Sequence, residues 1–326
     1  MNDNPVRSAA PTPADSIAVA ASIDAHRAHP EVDLRRHARN RQIELAKSLQ
    51  GRRAIYLDLK FWIGLRDAEA TSGHTPHPYS DLLAALRRTV TEHRAFCPIS
   101  DSCFLEVFKQ SDSATRRKTA ALIDELSLGV TIIPFELRVG TEIAHLLHTA
   151  RTPEQVFPLD QLVWTKLSYA LDYFSPPVGM FDKHTARAIE KAFFDHMWTI
   201  PLVEIEQHIG DAMSTKDPVH HERLAHTLNQ DVAKHAPEIK SFKQVYEHEL
   251  VGVMDLYASH AVDILCDMAP PSMGPPPAKD TGEYKNIERH CLSLLIAAME
   301  TNRGKATLRT LHIETIIHAA VRWNKG

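Results

Sequence analysis

An α/β fold is predicted for this chain, and three observations carry the prediction. Three short apolar runs rich in β-formers, at residues 54–58, 95–99 and 130–134, punctuate the first half. Amphipathic helical patterns separate them, which calls for a parallel sheet covered on both faces, a three-layer α/β/α arrangement. Composition agrees: the 326 residues are 44% hydrophobic and 24% charged, which supplies a substantial core.

Taken in order, residues 1–50 comprise a disordered start and a basic helix. The start is rich in Ala, Pro, Asn and Asp as far as Ser16. From about Ser22 to Gln50 the pattern is one helix, and Arg35, Arg36, Arg39 and Arg41 make one basic surface, read as a solvated face rather than a nucleic-acid arm. Residues 51–150 form the α/β core. Its first strand ends at Asp58, and Phe61, Trp62 and Leu65 then fall at helical spacing. Asp58 has two readings: a helix N-cap, or a site residue at the carboxyl end of a strand.

A polar break at 71–78 holds His74 and His77, read as loop residues, and a helix over 79–93 follows. The second strand leads into a helix capped by Ser100 or Asp101. Glu106 sits there among Phe104, Leu105, Val107 and Phe108. Burying a carboxylate in such company is costly without a partner. Glu106 therefore either turns outward beside Lys109 and Gln110 or faces Asp58. A helix over 113–128 closed by Gly129, the third strand and a helix over 136–149 complete the core.

Residues 151–268 read as a helical insertion, with helices near 158–174, 182–197, 202–213, 220–235 and 241–267 and no strand. Residues 269–282, rich in proline, form a loop, and 283–326 carry two C-terminal helices.

Several function classes are excluded. A net charge of −4 supplies no global basic field for nucleic acid, so phosphate contacts must be local. Cys97, Cys103, Cys266 and Cys291 are scattered, which argues against a zinc site and for reduced thiols. No apolar run approaches the roughly 18–20 residues that cross a bilayer, and the N-terminus lacks the features of a secretion signal. The expectation is a cytoplasmic protein without a membrane partner. His221 and His226 flank Glu222 as in a metalloprotease signature, but they are five residues apart and diverge by about 140° around a helix. Phosphate-loop, dinucleotide and serine-hydrolase motifs are absent from the sequence. Glu247 and Glu249 read as first-turn helix charges.

Asp58 and Glu106 remain. Tyr56-Leu57-Asp58 with Phe61-Trp62-Ile63, then Pro98-Ile99-Ser100 leading to Leu105-Glu106-Val107, resembles the first two acidic positions of PIN-domain nucleases. An Arg-rich helix ending in Asp124-Glu125-Leu126, followed by Val130-Thr131-Ile132-Ile133-Pro134, extends the similarity over residues 52–149. The resemblance implies a PIN-like three-layer α/β/α fold and a ribonuclease dependent on Mg²⁺ or Mn²⁺, of toxin or defence type, with DNA left open as a substrate. Asp58 and Glu106 would be catalytic metal ligands, Ser100 or Asp101 would orient the site, and Lys60 would contact phosphate. Clustered carboxylates repel one another and are tolerated around a divalent cation, so the two should converge.

The chain also departs from the family. Leu59-Lys60 follow Asp58 where many members carry a small polar residue and Asn, and residues 150–326 contain no strand-flanked Asn-Asp-x-x-Asp-like run. Three expectations stay open: a truncated sequence, a completing or inhibiting polypeptide, or substitution by Asp255 or Asp263. Incompleteness would leave a weak nuclease or none. The alternative function is a catalytically silent module that binds nucleic acid or a protein partner.

Overall fold

The computed structural model describes residues 13–70, 77–171, 178–213, 240–270, 272 and 274–325. Of these residues 73% are helical and 4% lie in strands, which overturns the PIN-like three-layer α/β/α sandwich expected from the sequence. The described strands make two small sheets. β1 (Arg53–Ala54) pairs parallel with β2 (Ala95–Phe96), and β3 (Val130–Ile132) pairs antiparallel with β4 (Trp164–Lys166).

The apolar runs lie where expected, but their hydrogen bonds go elsewhere. Ile55 N–H still reaches Phe96 C=O at 2.9 Å, after which Tyr56 and Leu57 leave the ladder. In the second run Cys97 N–H donates to the carbonyl of Leu126, a helical residue, at 2.8 Å, and Pro98 has no N–H to give. Contact with β3 resumes only at a bridge between Ile99 and Thr131. The helix expected over 158–174 is also corrected. Val163, Trp164 and Thr165 favour extended backbone; β4 forms there, and the Trp164 ring meets Phe96 edge-on at 5.2 Å.

The chain divides into two compact units, Met1–Pro134 with Asp160–Lys216, and Phe135–Leu159 with Asp217–Gly326. The first unit begins with α1 (Pro13–Arg27) and α2 (Leu34–Ser48), two helices where the periodicity suggests one. Pro30 interrupts the pattern, and Asp33 restarts it as an N-cap whose carboxylate accepts from Arg36 N–H at 2.8 Å. Residues 1–12 of the expected disordered start lie outside the described residues.

Next come α3 (Leu59–Ala70), α4 (Ser80–Thr91), α5 (Asp101–Phe108) and α6 (Ser113–Ser127). Their inward faces make a core in which Trp62, Leu65, Phe104, Val107 and Leu126 are sealed from water. α7 (Phe135–Arg151) belongs to the second unit, while α8 (Leu167–Ala170), α9 (Lys183–Thr199) and α10 (Leu202–Met213) return to the first. Asp124 of α6 accepts from the first two amides of α10, Leu202 at 2.8 Å and Val203 at 2.9 Å, so one helix caps another.

Arg116 of α6 is buried against Glu206 of α10 (Nε to Oε1 3.1 Å, both side chains 2% exposed). The same guanidinium donates to the carbonyls of Gln110 and Ser111, fixing the turn that joins α5 to α6.

The second unit packs α7 with α11 (Phe242–Met268), α12 (Gly282–Met299), α13 (Asn302–Thr307) and α14 (Arg309–Lys325) around Val139, Met254, Leu295, Leu308 and Leu311. Buried Glu142 accepts from Thr310 N–H at 2.9 Å and Thr310 Oγ1 at 2.8 Å, capping α14 from outside. Gly304 is required by contact: a Cβ there would lie 1.8 Å from the carbonyl oxygen of Ala298.

Removing one member of a buried ion pair strands the other charge, which typically costs about 3–5 kcal/mol. Arg116→Ala is expected to destabilise the first unit by about that much. Urea unfolding followed by tryptophan emission would read it, since Trp62, Trp164 and Trp198 all lie there. A double replacement of Arg116 and Glu206 by Met and Leu should cost clearly less.

Candidate functional site

The acidic site starts from a buried residue, Leu57, whose carbonyl accepts the indole N–H of Trp62 at 3.1 Å. Asp58 follows at the start of α3. Its carbonyl accepts from Phe61 N–H at 2.9 Å, as an N-cap residue's does, and its carboxylate Oδ1 accepts from Leu59 N–H at 2.9 Å. That side-chain bond is to the adjacent amide, not to one a turn further on. Asp58 therefore holds the cap position while its exposed carboxylate points away from the usual capping partner.

Ser100 is the true cap of α5, accepting from Cys103 N–H at 3.2 Å. Its Oγ also lies 2.9 Å from the Tyr56 hydroxyl, which joins the entry to α3 with the entry to α5. Glu106 sits on the exposed side of α5, three residues after Cys103, while Cys103, Phe104, Val107 and Phe108 turn inward.

Asp58 and Glu106 act electrostatically on the same two neighbours. Burial pushes the Cys103 thiol up to about 12, and the charges of Glu106 and Asp58 add to the effect. Burial likewise raises the Tyr56 phenol against the opposing bond from Ser100, and Cys103, Asp58 and Glu106 raise it further. Each carboxylate thus acts on both groups. The other residues singled out in the sequence do less. Asp101 Oδ1 accepts from Ser102 N–H at 2.8 Å within its own turn, and Lys60 Nζ stands 5.2 Å from the Phe61 ring. Asp255 and Asp263 belong to the second unit, where Asp263 pairs with Lys279 at 3.4 Å.

The donor set suits a hard cation. Two carboxylates with neighbouring Ser100 and Tyr56 hydroxyls offer oxygen only, and Mg²⁺ commonly takes one or two carboxylates plus substrate phosphate rather than a closed protein cage.

A second constellation escapes sequence reasoning. Asp195 of α9 accepts from two imidazoles, His26 Nε2 of α1 at 2.7 Å and His37 Nε2 of α2 at 2.8 Å, and from Ser22 Oγ at 3.2 Å. Burial alone would raise this carboxylate, but the bonds from His37 and His26 outweigh it and hold Asp195 down at about 2. Burial lowers His26, with Asp195 opposing. No spacing signals it, because His26 and His37 sit on separate helices and Asp195 lies 158 residues beyond His37.

Among the other histidines, His77 Nδ1 accepts from Tyr79 N–H at 3.3 Å, a loop role. His74, His221 and His226 lie outside the described residues. Glu249 pairs with Arg322 at 2.9 Å.

No protein-family model, curated protein or solved structure matches the chain. Among the described residues no helix is long and apolar enough to cross a membrane.

If Asp58 and Glu106 both bear on Tyr56, neutralising either makes the phenolate easier to form. The Tyr56 titration is expected above the usual tyrosine range in wild type and lower in Asp58→Asn and Glu106→Gln. NMR of labelled tyrosine would follow it; a midpoint indifferent to both changes would separate the carboxylates.

Proposed function

We propose that this chain is a divalent-cation-dependent phosphodiesterase acting on RNA, with Asp58 and Glu106 as the residues that hold Mg²⁺ or Mn²⁺. The reading is supported by exposed Asp58 at the start of α3 and exposed Glu106 on α5, two helices whose starts are joined by the Tyr56–Ser100 hydroxyl contact of 2.9 Å. Their acidic motifs resemble the first two of PIN-domain nucleases within a sequence likeness over residues 52–149, and that likeness does not extend to the fold.

The local backbone favours a phosphate ligand. α3 and α5 both begin beside the Tyr56–Ser100 link, which places two positive helix ends there; Asp58 stands at the start of α3, and Glu106 in the last turn of α5. Lys60, in the first turn of α3, adds an exposed ammonium. When bound, the cation supplies Lewis-acid stabilisation of charge on phosphate and a more acidic bound water. The protein's own contribution is positional. The Trp62–Leu57 bond fixes the direction of Asp58, and the Ser100 cap fixes the start of the helix that bears Glu106.

The test is cleavage of single-stranded RNA by the full chain with Mn²⁺. Asp58→Asn and Glu106→Gln are each expected to reduce the rate at least about 100-fold, the scale on which metal-site changes act, while circular dichroism stays unchanged. Cleavage indifferent to both substitutions overturns the assignment. RNA binding without cleavage overturns the enzyme and leaves a catalytically silent binding module.

A further inference from the structure

We propose that His26, His37 and Asp195 form a binding site for a divalent first-row transition cation of the Zn²⁺ class, separate from the carboxylate pair. Among the described residues this trio places one ligand atom from each side chain within 4.8 Å of the others. Two imidazole nitrogens and one carboxylate are the donor set that borderline cations select, whereas Mg²⁺ selects oxygen.

The geometry is near that of a bound ion. Bonds of about 2.1 Å from Zn²⁺ to nitrogen and oxygen place neighbouring ligand atoms roughly 3.4 Å apart on a tetrahedron. At present His26 Nε2 lies 2.7 Å from Asp195 Oδ2 and His37 Nε2 lies 2.8 Å from Oδ1, so the two separations must widen by roughly 0.6–0.7 Å and the carboxylate must turn to present oxygen to a shared ion. The His26 and His37 rings meet edge-on at 4.7 Å, and both present Nε2 to Asp195. Access is open: the side chains are 15%, 14% and 27% exposed for His26, His37 and Asp195.

The ligands ride on three helices whose placement is independently fixed. Lys191 Nζ of α9 donates to His29 C=O at 2.8 Å, and Arg187 of the same helix donates to Pro30 C=O at 3.1 Å, which ties the α1–α2 connection to α9. His37 further leans on Phe194 at 5.5 Å. Two cations face the site and oppose an incoming charge: Arg41, with Nε 3.6 Å from Asp195 Oδ1, and Lys191. Three protein ligands leave a coordination position for water.

The chain has 20 histidines, so uptake alone decides little. The full chain would be titrated with Zn²⁺ alone by calorimetry, then with Co²⁺ by visible absorption, beside His37→Gln and Asp195→Asn. The expected result is one equivalent bound by wild type and lost in both variants, with a thermal midpoint that Zn²⁺ raises in wild type only. Equal uptake by all three proteins, or no uptake by wild type, overturns the site. If a variant fails to fold by circular dichroism, His26→Gln takes its place. Bands of nitrogen- and oxygen-ligated Co²⁺ at one equivalent in wild type that His26→Gln loses support the proposal; their absence from wild type or their persistence in the variant overturns it. RNA cleavage plays no part in the readout, so failure here leaves the carboxylate assignment standing.

Discussion

The indole of Trp62, sealed from water, gives its N–H to the carbonyl of Leu57, and the corner where an extended segment turns into α3 depends on that bond. The Leu57 carbonyl lies in the core next to a residue that has already left the β-ladder, so without the indole it would be a buried acceptor with nothing to accept. The bond also fixes where α3 starts relative to its own second turn. Asp58, wedged between the two, has little freedom in direction. Two sheets of two short strands each could not have supplied that rigidity by themselves.

Much of the local structure was legible from residue chemistry. Ser100, Asp182 and Ser241 each open a helix with a side-chain oxygen on a backbone amide a turn ahead, and each stands just before an apolar-periodic stretch. The class of fold was less legible. An apolar β-branched run reports burial, and burial is satisfied as well by an isolated extended segment against helices as by a sheet. Pro98 was the available sign that the second run would break its ladder. The misread helix over 158–174 has the same origin, since Leu162, Val163 and Leu167 fit either period.

The two constellations differed in legibility for a physical reason. Asp58 and Glu106 lie within one supersecondary stretch, where a strand end and the next helix start must be neighbours. His26, His37 and Asp195 are assembled by the packing of α1 and α2 on α9, so sequence spacing holds no trace of them. Their chemistry also differs. One set offers oxygen only; the other is imidazole-rich and partly exposed, with the Phe194 ring edge-on to His37. Ions of different hardness would sort between them without any gate.

Cys103 gives the carboxylate corner a further property. Its thiol is buried and pushed up to about 12 by burial, with the two acidic neighbours adding to the effect. Oxidants and electrophiles attack the thiolate, which this environment suppresses. A cysteine three residues from Glu106 is in this way kept a poor nucleophile at neutral pH.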